Sequence, residues 1–562
     1  VRDLRPALLH AIGQATRLAP ALRFRRQARD PRATQEALLA SILAANAETE
    51  LGRRYGFSSI KNYADYAARV PFMTAADLAP LVERQMRGER GVLTAEAPVY
   101  YVRTTGSTGE AKHVPITATY RAQFQQTVHV SLFHLYRRFP SAFTGRALYF
   151  VGSRRVARAE DGCDVGTMSG FNFTELPPLL RAIYAWPYEL FEVADLPTRS
   201  FLSLLLAVTR DVSLVAGIFP APIVYLLRDL EARADELAHT VERGRLPETL
   251  RLSADQRAFF QQGLRPEAAL ARRLRDAARA PEGERISRAL PSLRLVYCWT
   301  TSTAALYLPE LARRLGPKVA IRDAIYSACE GWCSIPMGDP DPGGALAVGS
   351  HVMELIPEED YAAGRFEAAR PAWALEDGRR YAIVLTTGAG LYRYLLHDLV
   401  EVCGLYERTP RIRFVRKAGA ASNLAGEKLD ESHATRAVGS ALAAAGLEAT
   451  WFALVACPPD GRRDKPGYAL HLELPAGVTL PAEALVTAVD RALGAEAYDY
   501  ARLRAGNQLA PLQLVRVAPG SYDRVRQERV AAGAAEAQLK VANLVADRAA
   551  LPPPLRGPNA DN

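Results

Sequence analysis

Residues Thr104-Thr105-Gly106-Ser107-Thr108-Gly109-Glu110-Ala111-Lys112 set four hydroxyl side chains around two glycines and finish on a lysine. Small residues leave backbone N–H groups able to converge on an anion, and hydroxyls add further donors. A lysine three residues past the second glycine supplies a point charge of the sign a phosphate needs. The stretch is not a Walker loop, which needs four residues between its glycine and a Gly-Lys pair, and it lacks the G-x-G-x-x-G spacing of a dinucleotide fingerprint. On its own it reads equally as a phosphate-binding loop or as a flexible turn.

The loop interrupts an extended apolar piece, VLTAEAPVYYVR, so a strand is expected to deliver it. Before it, residues 1–60 read as helical, and residues 61–95 carry two shorter helices, the second entered through Thr74 as N-cap of TAADLAPLVERQM. After it, strand-like runs (ALYFVG, VSLVAGIF, LRLVYCW, YAIVLTT) alternate with helical ones, which argues for an α/β architecture with a largely parallel sheet. Residues 232–292 are charged and helical and read as a lid-like or packing segment. The pattern changes near Thr409-Pro410, and the residues beyond that point read as a small α+β domain. The expected division is a large N-terminal domain over 1–410, a small mobile C-terminal domain over 411–550 and a disordered tail over 551–562.

Composition excludes several classes. Lys and Arg total 70 against 61 acids, a net charge of +9 that is small for 562 residues and scattered, so neither a nucleic-acid nor a membrane partner is expected. The longest apolar run, Val212 to Leu227, is too short for a bilayer and contains two prolines; it reads as a buried strand, a turn and a helix start. The arginine-rich beginning of the chain runs straight into a helical pattern and reads as a helix rather than a transit segment. Six cysteines without a C-x-x-C pair fit free thiols in a reducing cytoplasm.

Three ordered blocks carry a resemblance. TTGSTGEAK looks like the phosphate loop of the adenylate-forming superfamily, IYSACEGW (325–332) is similar to its tyrosine-then-glutamate block, and LYRYLLHDLVEV (391–402) to its tyrosine-arginine-x-x-glycine-aspartate block. Within that superfamily the chain resembles the auxin-responsive acyl-acid amido synthetases of plants and their bacterial relatives. TELGRRYGF, VPFMTAADLAPLVERQMRGE, YCWTTSTAALYLPEL, TTGAGLYRY, NLAGEKLDE and AYDYARLRAGNQL all look like that group, so the likeness spans nearly the whole chain. The superfamily's C-terminal P-x-x-x-x-G-K motif is absent.

The resemblance implies that Thr104, Thr105, Gly106, Ser107, Thr108, Gly109 and Lys112 line the phosphates of ATP. Thr301 and Ser302 would border the base, with Tyr326 packed beside the adenine. Glu330 would bind Mg²⁺, Asp398 the ribose hydroxyls with help from Arg416, and Lys428 and Lys540 would reach phosphate from the small domain. Leu395 and His397 stand where the family's last block has arginine and glycine. Parts of residues 163–173 and the surroundings of His351 and Met353 would form the acyl pocket, and domain rotation about residues 405–415 is expected.

The implied activity is attack of a carboxylate on ATP to give an acyl-adenylate and pyrophosphate, then transfer to an amine (an amino acid, another amine or a hydrazine) with loss of AMP. The expected setting is bacterial specialised metabolism, in a monomer or homodimer. Two rival readings are an acyl-coenzyme A ligase and a non-catalytic ligand-binding homologue.

Overall fold

The computed structural model describes residues 5–105, 111–418, 421–459, 463–522, 524–525, 528, 543–546, 548 and 551–556. Two compact units emerge, residues 1–104 with 113–416 and residues 105–112 with 417–562. Among the described residues no helix is long and apolar enough to cross a membrane.

The larger unit begins with two helices, Arg5–Arg29 and Pro31–Ala45. Asp30 separates them because its carboxylate accepts the Ala33 N–H at 3.1 Å while Pro31 starts the second helix with its φ already set. The helix Ala75–Met86 starts at Thr74 as the sequence indicates. Asp77 completes a reciprocal cap, accepting the Thr74 N–H at 2.8 Å.

Three of the expected strands lie in one parallel sheet, in the order Arg146–Tyr149, Val212–Ala216, Leu295–Cys298, Ala320–Asp323. The helices of the 232–292 region, Ala234–Arg243, Ala254–Gln262, Ala268–Arg279 and Glu282–Ala289, bury Leu237, Val241, Leu270, Leu274 and Ile286 in the core of this sheet. Each such side chain contributes roughly 1.5–3 kcal/mol of burial, so this region packs and is not a lid.

The fourth run, YAIVLTT, belongs elsewhere. Its strand Arg380–Thr386 sits within a seven-stranded sheet ordered Arg370–Pro371, Val352–Pro357, Arg380–Thr386, Tyr394–Tyr406, Thr409–Lys417, Gly344–Leu346, Ser334–Ile335, whose registered pairs are antiparallel. The strand is buried on both faces from Tyr381 onward, so its uninterrupted apolar run looks the same as that of a parallel strand. A third sheet is ordered Ala111–Ile116, Tyr100–Thr105, Asp164–Gly166, Ala157–Arg158 and leads the chain into and out of the hydroxyl loop.

Residues 405–415, expected to act as a pivot, form the end of one strand and most of the next, joined through Glu407 and Arg408. Glu407 pairs with Arg25 at 2.7 Å, and the Arg408 N–H and Thr409 hydroxyl both donate to the Ala28 carbonyl. This hairpin is tied to the first helix, and Thr409-Pro410 lies inside a strand, which is why the division falls after Arg416 rather than at 410.

The small unit is a sheet ordered Gln513–Val517, Gly467–Glu473, Trp451–Cys457, Leu544–Val545 with helices Glu431–Ala444, Ala482–Glu496 and Tyr498–Ala505. Strand alternation divides Leu454 and Ala456 from Trp451, Ala453 and Val455, giving each face its own core. The second core corrects the expected tail: Leu551 and Leu555 are buried beside Trp451 and Val517, and the Leu555 carbonyl lies 3.0 Å from His471 Nδ1. Two buried leucines anchor a segment whose prolines suggested disorder; residues 557–562 lie outside the described residues.

Candidate nucleotide and acyl-activation site

In the parallel sheet, the C-terminal ends of Leu295–Cys298 and Ala320–Asp323 lie side by side. Asp323 closes them off: its Oδ1 accepts the Thr300 N–H at 3.0 Å and its Oδ2 the Gly343 N–H at 2.9 Å. Burial raises the pKa of this carboxyl, and the backbone donors offset only part of the rise. The chain then turns through Thr301 into the short helix Ser302–Tyr307, at the end of a parallel sheet where open α/β folds place ligands. Trp299, at the start of this turn, packs against the core and donates its indole N–H to the Ile325 carbonyl at 2.9 Å.

Tyr326 is buried, its ring 5.4 Å from that of Phe414, and its hydroxyl donates to Asp398 Oδ2 at 2.6 Å. Burial drives the Tyr326 phenol well above its ordinary pKa, so it stays a donor. Four residues later Glu330 sits half-buried on a tight turn, where Ala328 and Gly331 exchange backbone hydrogen bonds of 2.9 and 3.2 Å. The Tyr394 hydroxyl donates to Glu330 Oε1 at 3.3 Å. Tyr326 and Glu330, four residues apart, are thus both linked through tyrosine hydroxyls to the strand Tyr394–Tyr406, which carries Asp398.

That strand is irregular where it matters. Leu395 pairs with Val384 but Leu399 with Ala382, so extra residues bulge between them. His397 lies in the bulge at φ +58°, a left-handed conformation that explains why a glycine suits this position. The His397 imidazole bonds to the Tyr361 hydroxyl through Nδ1, whereas the next side chain, Asp398, meets Tyr326. Leu395 is buried in the sheet. Arg393, at φ +45°, holds the strand's start by a buried pair with Glu354 at 2.9 Å and bonds to the Ala67 and Val70 carbonyls.

Six non-glycine residues among those described have left-handed φ, and four of them are Ser302, Arg393, His397 and Lys428. Strain of this kind persists only where surrounding structure enforces it, and here it gathers at or beside residues singled out for chemistry. Lys428, in the small unit, is exposed, and its N–H donates to Asn423 Oδ1 at 3.3 Å. Beside it, Glu427 is buried and accepts the Leu424 and Ala425 N–H groups at 2.6 and 2.7 Å together with the Tyr468 hydroxyl. The loop bearing Lys428 is therefore built around an internal carboxylate.

Lys112 is half-buried at the start of the strand Ala111–Ile116. Gly106, Ser107, Thr108, Gly109 and Lys540 lie outside the described residues, as do the side chains of Thr104, Thr105 and Arg416. Of the stretches expected to shape an acyl pocket, Met168 and Phe171 join a cluster with Tyr100, Tyr120, Phe124 and Trp332, while Met353 is buried in the seven-stranded sheet. Sequence reasoning missed Asp323, Tyr394 and Tyr120. Asp323 stands three residues before Tyr326, but nothing local marks Tyr120, whose hydroxyl reaches Cys329 O from a distant helix.

No group of three or more His, Cys, Asp or Glu is placed to hold a metal among the described residues. Glu330 as a lone carboxylate matches the habit of Mg²⁺, which takes one or two carboxylates and completes its shell with phosphate oxygens and water.

Comparison with known proteins identifies the family of the chain. The GH3 family N-terminal domain matches residues 21–321, the GH3 family central domain residues 344–417 and the GH3 family C-terminal domain residues 432–549. The chain is 25% identical over 541 residues to indole-3-acetic acid-amido synthetase GH3.8 of Oryza sativa subsp. indica, covering 91% of this chain and 88% of that protein. It is also 25% identical to probable indole-3-acetic acid-amido synthetase GH3.1 of Arabidopsis thaliana, covering 94% and 91%. The fold is similar to that of the AtGH3.15 acyl acid amido synthetase in complex with 2,4-DB, with a TM-score of 0.65 at 20% identity over 94% of each chain. Its three domains follow one another in order from residue 21 to residue 549, and the chain belongs to the GH3 family.

Proposed function

We propose that the protein is an ATP-dependent acyl-acid amido synthetase that activates a carboxylic acid as its acyl-adenylate and passes the acyl group to an amine. The observation that carries the reading is the Tyr326 hydroxyl on Asp398, which fixes an aromatic wall and a carboxylate together in a member of this family. Tyr326 would border the adenine with Thr301 and Ser302, and Asp398 would take the ribose hydroxyls with Arg416. Thr104, Thr105, Gly106, Ser107, Thr108, Gly109 and Lys112 would hold the phosphates. Lys428 and Lys540 would supply further positive charge to the phosphate from the small unit.

Glu330 would hold Mg²⁺, which when bound neutralises charge on the phosphate oxygens. In the first step a carboxylate oxygen of the acid attacks the α-phosphorus, and the bond to the bridging oxygen breaks to release pyrophosphate. Fixed donors aimed at the phosphate oxygens stabilise the charge that gathers there. In the second step a neutral amine nitrogen attacks the acyl carbon, AMP leaves with the electron pair of the broken C–O bond, and the ammonium proton is lost to solvent. Holding both reactants adjacent lowers the barrier by several kcal/mol, so no nucleophilic side chain is needed.

A bacterial source, a cytoplasmic setting and an absence of nucleic-acid or membrane partners complete the proposal. Six cysteines without a C-x-x-C pair support the reading of a reducing compartment. The test is product analysis with Mg-ATP, a panel of carboxylic acids and an amine mixture: acid-dependent AMP and an amide are expected. AMP with a thioester formed only when coenzyme A is present would instead assign a coenzyme A ligase.

A further inference from the structure

The turn that presents Glu330 is gripped on both sides by two rings that stack on each other. The Tyr120 hydroxyl donates to the Cys329 carbonyl at 2.9 Å, and His351 Nε2 accepts the Trp332 N–H at 3.2 Å. The rings of Tyr120 and His351 lie 5.4 Å apart at 21°, both fully buried. Each has its own support. Tyr120 stands in the first turn of the helix Ala118–Arg138, capped by Thr117, whose hydroxyl accepts the Tyr120 N–H at 3.1 Å. His351 is fixed through Gln35, which donates to its carbonyl at 2.8 Å and accepts the next but one N–H, that of Met353, at 2.8 Å. Within the turn, a Cβ added to Gly331 would lie 2.6 Å from Leu385 Cδ1, so the backbone there runs against the sheet itself.

We propose that His351 and Tyr120 form a clamp that sets the position of the Glu330 carboxylate, making both of them positioning residues for the bound divalent cation. The inference rests on the reading of Glu330 as the cation's protein ligand. One bond meets the peptide that joins Cys329 to Glu330 and the other the peptide that joins Gly331 to Trp332, one residue further on, while the Tyr394 hydroxyl donates to the carboxylate itself. His351 Nδ1 is buried and meets no hydrogen-bond partner among the described residues, which carries a desolvation cost. A phenylalanine would stack on Tyr120 without that cost; what only the imidazole offers is an acceptor for Trp332. A site held to tight geometry needs such support from the residues behind it.

The test measures ATP affinity by calorimetry at stepped Mg²⁺ concentrations, with thermal unfolding of the same samples. His351→Phe and Tyr120→Phe keep both rings and remove one bond each; His351→Gln returns an acceptor. Each Phe variant is expected to raise the Mg²⁺ concentration at half-effect by about tenfold, with His351→Gln restoring most of it. If both Phe variants lower the melting temperature but leave the Mg²⁺ dependence at the parent value, the clamp is purely structural and the proposal fails. Glu330→Gln runs in parallel: no shift there overturns the metal reading, whereas a shift there and none in the Phe variants overturns the clamp alone. Should His351→Phe not fold, Tyr120→Phe decides.

Discussion

The Tyr326 hydroxyl and Asp398 Oδ2 lie 2.6 Å apart inside the larger unit, joining two residues that belong to different blocks of the sequence. A hydrogen bond to a charged group contributes about 1.5–3 kcal/mol. Tyr326→Phe keeps the ring and loses that bond, so the protein should lose about 1.5–3 kcal/mol of stability and ATP affinity should fall by about tenfold. Calorimetric titration with Mg-ATP decides it, and parent-like affinity would separate Asp398 from nucleotide binding.

His397 holds a left-handed backbone and compensates with its bond to Tyr361. Alanine keeps the strain and loses the bond, and should cost about 1 kcal/mol. Glycine removes the strain, so His397→Gly should be nearly as stable as the parent. Urea unfolding of the three proteins orders them; equal losses for alanine and glycine would contradict the strain argument.

Lys428 is exposed and its side chain supports no core, yet its loop is shaped by the buried Glu427. Lys428→Ala should therefore leave stability within about 0.5 kcal/mol. If the lysine meets the phosphates, acid-dependent pyrophosphate release should drop by about a hundredfold. Glu427→Ala should remove the acceptor of two backbone N–H groups and destabilise the small unit itself, by about 2 kcal/mol or more. A stable Glu427→Ala protein would show that the loop is held some other way.

Acid should loosen the first helix. Burial, then the charge of Arg17, lowers the His10 pKa to about 4, from 6.5. The unfolded chain therefore takes up a proton near 6.5 that the folded chain refuses until about 4. The stability this group allows is intact above 6.5 and is lost as pH falls through that window to about 4, in all about 3 kcal/mol. Urea unfolding of the parent and of His10→Leu at pH 7 and pH 4 measures the difference; identical pH dependence would contradict it.

How much of the fold and the site was legible in the sequence depends on distance along the chain. The hydroxyl loop, the Tyr326–Glu330 block and Asp398 sit in short stretches marked by their resemblance to a known family, and the cap at Thr74 needs only the next turn of helix. The Tyr326–Asp398 bond spans 72 positions and the Tyr120–Cys329 bond 209, and no local pattern encodes either. The strand Arg380–Thr386 was readable as a strand but not as antiparallel, because burial on both faces erases alternation. The tail containing Leu551 and Leu555 looked disordered by its prolines; the apolar face that holds it belongs to strands far upstream in the chain. At His397, the departure from the family's glycine was visible, but the Tyr361 partner that accommodates it was not.

The central claim is that this member of the GH3 family cleaves ATP between its α- and β-phosphates on behalf of a carboxylic acid. Its most direct test is the nucleotide product formed with Mg-ATP, a carboxylic-acid panel and an amine mixture. The account predicts AMP and pyrophosphate that depend on a particular acid, with an amide when amine is supplied. ADP as the product, or ATP binding without acid-dependent turnover by any acid, would contradict it.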